Sequence, residues 1–479
     1  MERLNLIGGA WRAAQSGATF VVRDAATGDE LAHVPDGGAV DARLAIDAAQ
    51  GALAAWSGRT AEDRAGILRQ IGDAIRQRKV ALSQLITAEC GKPLDESLGE
   101  VDYSADYFDS AAIEAICLHE ETIASRRADR SLRAIPEPIG VVAAITPWNF
   151  PLATLARKTA PALAVGCTQV VKPAESTPLT ALAFGRLMMD IGVPPGVVNV
   201  ITGDPAIIGQ TWLGDGRVRK LSFTGSTQVG RLLMRSAADQ IVRLSLELGG
   251  HAPFVVFADA DIPAAVAAAV TGKFRVAGQT CVCPNRFIIA EEVHDQFTAQ
   301  LIAAVGELRI GRGSDAGVRI GPLISDQAVA RLRNQISDAV AKGATVAIGG
   351  KTIAVQGCLD RFFAPTVLTN ASPQMLCFSE ESFGPLVPIA RFRDESQAIA
   401  LANATPFGLA GYVFSSDSAR LERASRELNC GIVGANVGVI SDAYAPFGGR
   451  GWSGFGREGG RWGLEEYISW KYVCSAKSP

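Results

Sequence analysis

A chain of 479 residues is too long for one hydrophobic core and predicts two or three domains. Hydrophobic residues at 48%, charged residues at 20% and a net charge of -3 describe an ordinary globular protein and give no electrostatic reason to expect nucleic acid or an anionic membrane as partner. No apolar run approaches the roughly 18 residues that span a bilayer, and nine mostly scattered cysteines with no signal core at the start point to a reducing, cytoplasmic setting.

Residues 1 to 40 read as short strands and turns. From Asp41 to about Cys117 the apolar spacing becomes helical, through Ala45, Ala48, Ala49 and Ala52 and then Ile67, Leu68, Ile71 and Ile75. Arg126 to Ile139 is charged, breaks helical periodicity and ends in Pro-Glu-Pro, which suits an extended linker and an interaction arm equally. From Gly140 to Leu246 strands (Val141–Ile145, Gln169–Lys172, Val197–Ile201, Lys220–Phe223, Leu244–Leu246) alternate with helical patterns. That alternation predicts a parallel, doubly wound sheet with ligands at the carboxyl ends of its strands. A second α/β pattern runs from Ala252 to about Asn436, with strands expected at Phe254–Phe257, Phe287–Ile289, Ala344–Ile348, Val387–Phe392 and Ile432–Val433. The tail Glu465–Cys474 suits a strand added to a partner's sheet.

Two overlapping G-x-G-x-x-G matches, Gly449–Gly454 and Gly454–Gly459, follow no strand and leave too little chain for a βαβ unit, so they read as a flexible loop. The turn Phe223-Thr224-Gly225-Ser226 follows a strand and opens a helix, with Ser226 as a possible N-cap, and suits a pyrophosphate. Arg231-Leu232 stands where a P-loop needs Lys-Ser/Thr, which removes an ATPase. Lys172 and Glu175 end the second strand, as a solvated turn or as an acid that accepts from ribose hydroxyls and repels a 2′-phosphate. Asn149, inside Thr146-Pro147-Trp148-Asn149-Phe150-Pro151, either satisfies backbone groups or donates to a developing oxyanion. Glu247 stands where a strand meets a Gly-Gly turn, and Cys281 follows Gly-Gln-Thr, an acid and a thiol suited to water activation and nucleophilic attack. Four histidines, at 33, 119, 251 and 294, lack metal-ligand spacing, and His251 reads as packing.

The stretches E-L-G-G-H-A-P-F and F-R-V-A-G-Q-T-C resemble the two active-site signatures of the aldehyde dehydrogenase superfamily, and G-Q-T-C-V-C-P-N-R-F is similar to its succinate-semialdehyde dehydrogenase branch. The resemblance runs from about residue 5 to 475. It implies an α/β fold of two doubly wound parallel-sheet domains plus a small β oligomerisation arm. Residues 1–121 and 140–248 would bind NAD, 249–436 would be the catalytic domain, and 122–139 with 437–479 the arm and C-terminal linker of a homodimer or homotetramer.

By the same resemblance Cys281 is the nucleophile, Asn149 with the Cys281 N–H the oxyanion donors, and Glu247 the hydrolytic base. Thr146, Pro147, Trp148, Lys172, Glu175, Gly225, Ser226, Leu248, Glu381 and Phe383 would hold the cofactor, with Glu175 favouring NAD over NADP. Arg157, Arg275 and Ser441 match residues that hold a substrate carboxylate in this branch, although exposed arginines are usually only solvated. Asp24-Ala25, Ser382 and Asp442–Ala445 depart from close relatives, and the last leaves substrate length open. The expected reaction is NAD-dependent oxidation of succinate semialdehyde through a cysteine thiohemiacetal and thioester. Alternatives are glutarate semialdehyde or a sulfonated three-carbon aldehyde, a CoA-acylating enzyme, or an idle scaffold. Cys283 is either a small packing residue or a redox partner of Cys281.

Overall fold

The computed structural model describes residues 3–476. Val141–Ile145 forms the middle of an eight-stranded sheet because its five apolar residues are buried on both faces, as a central parallel strand requires. Thr168–Lys172 and Val198–Val200 extend the sheet on one side, Val218–Thr224 and Arg243–Glu247 on the other, all parallel. Strand order therefore reverses between Val141–Ile145 and Val218–Thr224, which opens a crevice at their carboxyl ends. Asn5–Ile7 and Ala10–Arg12 close one edge as antiparallel strands.

The other edge corrects the reading of the glycine-rich loop. Gly454–Phe455 is a strand paired antiparallel with Leu246 and Glu247, and Ser453 and Glu458 beside it are buried. A Cβ at Gly454 would overlap the Leu246 carbonyl. Glycine is here for close backbone approach, and the loop is packed rather than flexible.

Helices Ala39–Ser57, Ala61–Gln77, Lys79–Cys90 and Leu94–Cys117 supply the expected helical layer. Leu94–Cys117 packs against Ala61–Gln77 and against Ala153–Val165, a helix buried along its whole length between that layer and the sheet. Its interior position puts Arg157 and Lys158 out of water, where charge needs partners.

A seven-stranded sheet follows, in the order Thr345–Ile348, Thr366–Thr369, Leu386–Phe392, Pro284–Ala290, Ala252–Val256, Ala410–Phe414 and Ile432–Ala435. Only its first pair is antiparallel. Phe254 packs against Phe287 and Phe414 at its centre. Sequence reading passed over Thr366–Thr369 and Ala410–Phe414, short central strands without the alternation that marks a half-exposed one.

Glu121–Ile123, Arg130–Pro138 and Ile468–Ala476 form a third, three-stranded sheet. The C-terminal strand pairs with the chain's own Arg130–Pro138, from Ile468 opposite Pro138 to Ala476 opposite Arg130, and forms one edge of this sheet. Two nine-residue strands of matching length pair along their whole length, and among the described residues the other edge of Ile468–Ala476 has no strand beside it. Among the described residues no helix is long and apolar enough to cross a membrane.

Candidate active site

A cavity of about 740 Å³ lies where the carboxyl ends of the first sheet meet the Cys281 loop. Cys281 is half-buried on its wall, while burial pushes its thiol up to about 12 and Arg157 opposes that shift. The approach to Cys281 is contorted: Val276 and Ala277 hold φ of 51° and 53°, and Gly278 holds 77°. Asn149 is buried after the Val141–Ile145 strand and donates one amide N–H to the Gln279 carbonyl at 2.8 Å. Its second amide hydrogen remains free, and the Cys281 N–H has no partner among the described residues. Glu247 closes the Arg243–Glu247 strand, buried, and neither carboxylate oxygen has a hydrogen-bond partner among the described residues. Burial first, and then the nearby Glu458 charge, raise its pKa well above the usual carboxylate range.

Arg275 lines the same cavity, half-buried, with its guanidinium 5.1 Å from the Phe150 ring centroid and no ion pair among the described residues, although Glu96 is near enough to feel its charge. Ser441 joins it on the wall. Arg157 also reaches the cavity, but its Nη1 is paired with Glu458 at 3.4 Å and its guanidinium lies 4.0 Å over Phe447. The arginine expected to be free for substrate is therefore partly committed through Nη1, while its buried Nε has no partner among the described residues.

The other arm of the cavity fits a dinucleotide. Lys172, buried at its strand end, is paired with the exposed Glu175, and burial lowers the Lys172 pKa to about 7. Ser226 caps the Thr227–Ala237 helix by accepting the Val229 N–H at 3.3 Å. A Cβ at Gly225 would strike the Phe223 ring, so the turn stays bare where a phosphate would approach. Leu248 lies under the helix, close enough that a Cβ at Gly230 would come within 2.6 Å of it. Glu381 accepts the Gly250 N–H at 2.9 Å, and burial raises its pKa to about 7. Phe383 meets Trp148 edge to face at 5.9 Å, and Pro147 stands beside them on the wall. Thr146 and Thr224 line the same arm with buried hydroxyls that have no partner among the described residues, as a site built for a polar ligand leaves them.

Residues 11–473 match the aldehyde dehydrogenase family. The chain belongs to the aldehyde dehydrogenase family. It is 49% identical over 469 residues to the Escherichia coli (strain K12) succinate-semialdehyde dehydrogenase [NADP(+)] GabD, covering 98% of this chain and 97% of that protein. Identity to a Pseudomonas putida 3-sulfolactaldehyde dehydrogenase is 47% over 474 residues, covering 99% and 97%. The crystal structure of a succinate-semialdehyde dehydrogenase from Burkholderia pseudomallei superposes with a TM-score of 0.97 at 49% identity, covering 99% and 98% of the two chains. The protein is thus an aldehyde dehydrogenase with the α/β fold of that family.

This aldehyde dehydrogenase carries a buried charge cluster that sequence reading missed. Glu458 accepts from Lys158 at 2.6 Å and from Arg157, and Lys158 also donates to Ser222 at 3.0 Å. Burial would raise Glu458, but Lys158 and Arg157 outweigh it and hold the carboxyl below its ordinary range. The signal was present as an acid in a glycine-rich stretch and a Lys next to Arg157, but the acid lies about 300 positions from that pair and only the fold joins them. Cys283, unlike Cys281, is wholly buried, with its thiol donating to the Lys273 carbonyl at 3.4 Å. His251 is buried edge-on to Phe407 at 6.2 Å, outside the cavity wall.

Proposed function

We propose that the protein oxidises a short aldehyde bearing an anionic group at its far end, succinate semialdehyde foremost, to the corresponding acid. The observation that carries this reading is Arg275, a half-buried guanidinium that forms no ion pair among the described residues, on the same cavity wall as Cys281. A free guanidinium fork suits a carboxylate or a sulfonate. The substrate classes printed for the Escherichia coli and Pseudomonas putida relatives, a carboxylated and a sulfonated aldehyde, share that anionic end. A panel of succinate semialdehyde, glutarate semialdehyde, sulfolactaldehyde and neutral aldehydes of equal length, compared by kcat/KM, tests it. Preference for the neutral members overturns it.

In this reading the Cys281 sulfur attacks the carbonyl carbon. The developing oxyanion takes hydrogen bonds from the second Asn149 amide hydrogen and the Cys281 N–H. NAD(P), when bound, supplies the two-electron oxidant that converts the thiohemiacetal to a thioester. Lys172, Glu175, Gly225 and Ser226 would hold its adenosine and pyrophosphate end, and Thr146, Pro147, Trp148, Leu248, Glu381 and Phe383 its nicotinamide end. Ionised Glu247 then takes a proton from water, which attacks the thioester and frees Cys281.

NAD is the proposed preference, because a 2′-phosphate would have to displace the Glu175 carboxylate from Lys172. The ratio of kcat/KM for NAD over NADP should exceed one and shrink in Glu175→Ser. A parent enzyme that favours NADP, as the printed name of the Escherichia coli relative reads, would remove this role for Glu175.

Nine unpaired cysteines support a cytoplasmic setting. Exposed Trp470 and Tyr472 on the three-stranded sheet support a homodimer or homotetramer, which sedimentation reads directly. Pairing of Cys281 with Cys283 is proposed as a redox contact that requires this loop to rearrange, since the resting Cys283 thiol is turned into the core. Mild peroxide should inactivate, dithiothreitol should restore activity, and Cys283→Ala should lose the recovery. Parent-like rescue of Cys283→Ala would leave Cys283 a packing residue.

A further inference from the structure

Beneath Asn149 lies a buried ion pair with no part in the chemistry described above. Lys92 is fully buried, and its Nζ donates to Glu100 Oε2 at 2.5 Å and to the Asn149 carbonyl at 2.6 Å, 4.0 Å from the Phe150 ring centroid. The second Glu100 oxygen accepts the Leu152 and Ala153 N–H groups at 2.9 and 3.1 Å, at the start of the helix that carries Arg157 and Lys158. Glu96 stands one turn before Glu100 on the same helix and accepts the Val276 N–H at 2.7 Å. Val276 in turn accepts from the Gln279 side chain at 3.0 Å, and the Gln279 carbonyl accepts the Asn149 amide at 2.8 Å. The bonds close a ring from one helix face through both active-site loops and back.

Two physical arguments give this ring a purpose beyond packing. A buried ion pair is weak evidence for stability, because desolvation offsets its attraction. Here the remaining hydrogen-bonding capacity of the pair is spent on the Asn149–Ala153 turn. Left-handed Val276 and Ala277 are strained for residues with side chains, and such strain persists only where the surroundings over-determine it. Glu96 supplies part of that constraint, immediately before the loop that delivers Cys281.

We propose that Lys92, Glu96 and Glu100 are positioning residues that hold the Asn149 amide and the Cys281 loop in register for oxyanion stabilisation. Lys92 and Glu100 fix the Asn149 backbone, and Glu96 fixes the turn whose Gln279 carbonyl aims the Asn149 side chain. The inference rests on the oxyanion role proposed for Asn149.

The test is a double-mutant cycle with Asn149→Ala. Glu100→Gln and Lys92→Met should each lower kcat on the order of 10- to 100-fold, a fraction of what loss of an oxyanion donor costs. KM and NAD(P)H affinity, measured by fluorescence titration, should move less than about threefold, since neither is read through Asn149. Added to Asn149→Ala, either change should cost less than about twofold more, because residues acting through one group are not additive. Glu96→Gln should follow the same pattern through Gln279. Lys92→Met keeps the test alive where Glu100→Gln does not fold, and NAD(P)H binding certifies each variant as folded. Losses that multiply in full on the Asn149→Ala background, or parental kcat in the folded variants, overturn the proposal while leaving Asn149 in place. Parental kcat in Asn149→Ala itself overturns the oxyanion role and the ring's function with it.

Discussion

Cys281→Ala should form no NAD(P)H from aldehyde, a loss of about 10³-fold or more, since no other thiol lines the cavity. Glu247→Gln should instead release about one equivalent of NAD(P)H per site in a burst and then stall at the thioester, with steady turnover down by roughly 10²- to 10⁴-fold. The two variants separate acylation from deacylation, and rapid-mixing absorbance reads both. Steady parental turnover in Glu247→Gln would remove it from the mechanism.

The sign of the pH dependence follows from the same carboxyl. Glu247 is a base only when ionised, and burial together with Glu458 holds it neutral above the ordinary carboxylate range. Deacylation must therefore rise with pH as Glu247 loses its proton. Glu458→Gln removes a like charge and leaves Lys158 and Arg157 unneutralised, so the rising limb should move to lower pH.

What the sequence disclosed of this site is what local pattern can carry. Asn149 and the Gly225-Ser226 turn each end an apolar strand, and parallel sheets place such ends on one crevice, so both were legible before any coordinates. Glu247 and Cys281 were legible because an acid and a thiol stand beside glycine in otherwise apolar text. Glu458 was not, since its meaning comes from Lys158 and Arg157 on a helix about 300 residues earlier. The glycine-rich loop misled for a related reason. Gly454 reads as freedom in the chain, yet the Leu246 carbonyl leaves no space for a side chain there, and that contact is long-range. The tail strand was recognised as extended, but its pairing with Arg130–Pro138 was not, because that contact is long-range.

The two arginines that the sequence treated alike should part company on mutation. Arg275 forms no ion pair among the described residues, so Arg275→Ala should weaken kcat/KM for succinate semialdehyde by a few kcal/mol, about the cost of losing one partner of a buried charged pair. A neutral aldehyde of equal length should be almost untouched, because Arg275 has nothing on that substrate to bind. Arg157 is bonded to Glu458 and packed on Phe447. Arg157→Ala should therefore depress acidic and neutral aldehydes together, by leaving Glu458 short of a countercharge beside Glu247, and should push the rising limb of deacylation to higher pH. Paired kcat/KM values on the two substrates decide the matter. Equal losses for Arg275→Ala would assign it to the fold, and a loss confined to the acidic aldehyde in Arg157→Ala would return Arg157 to the substrate site.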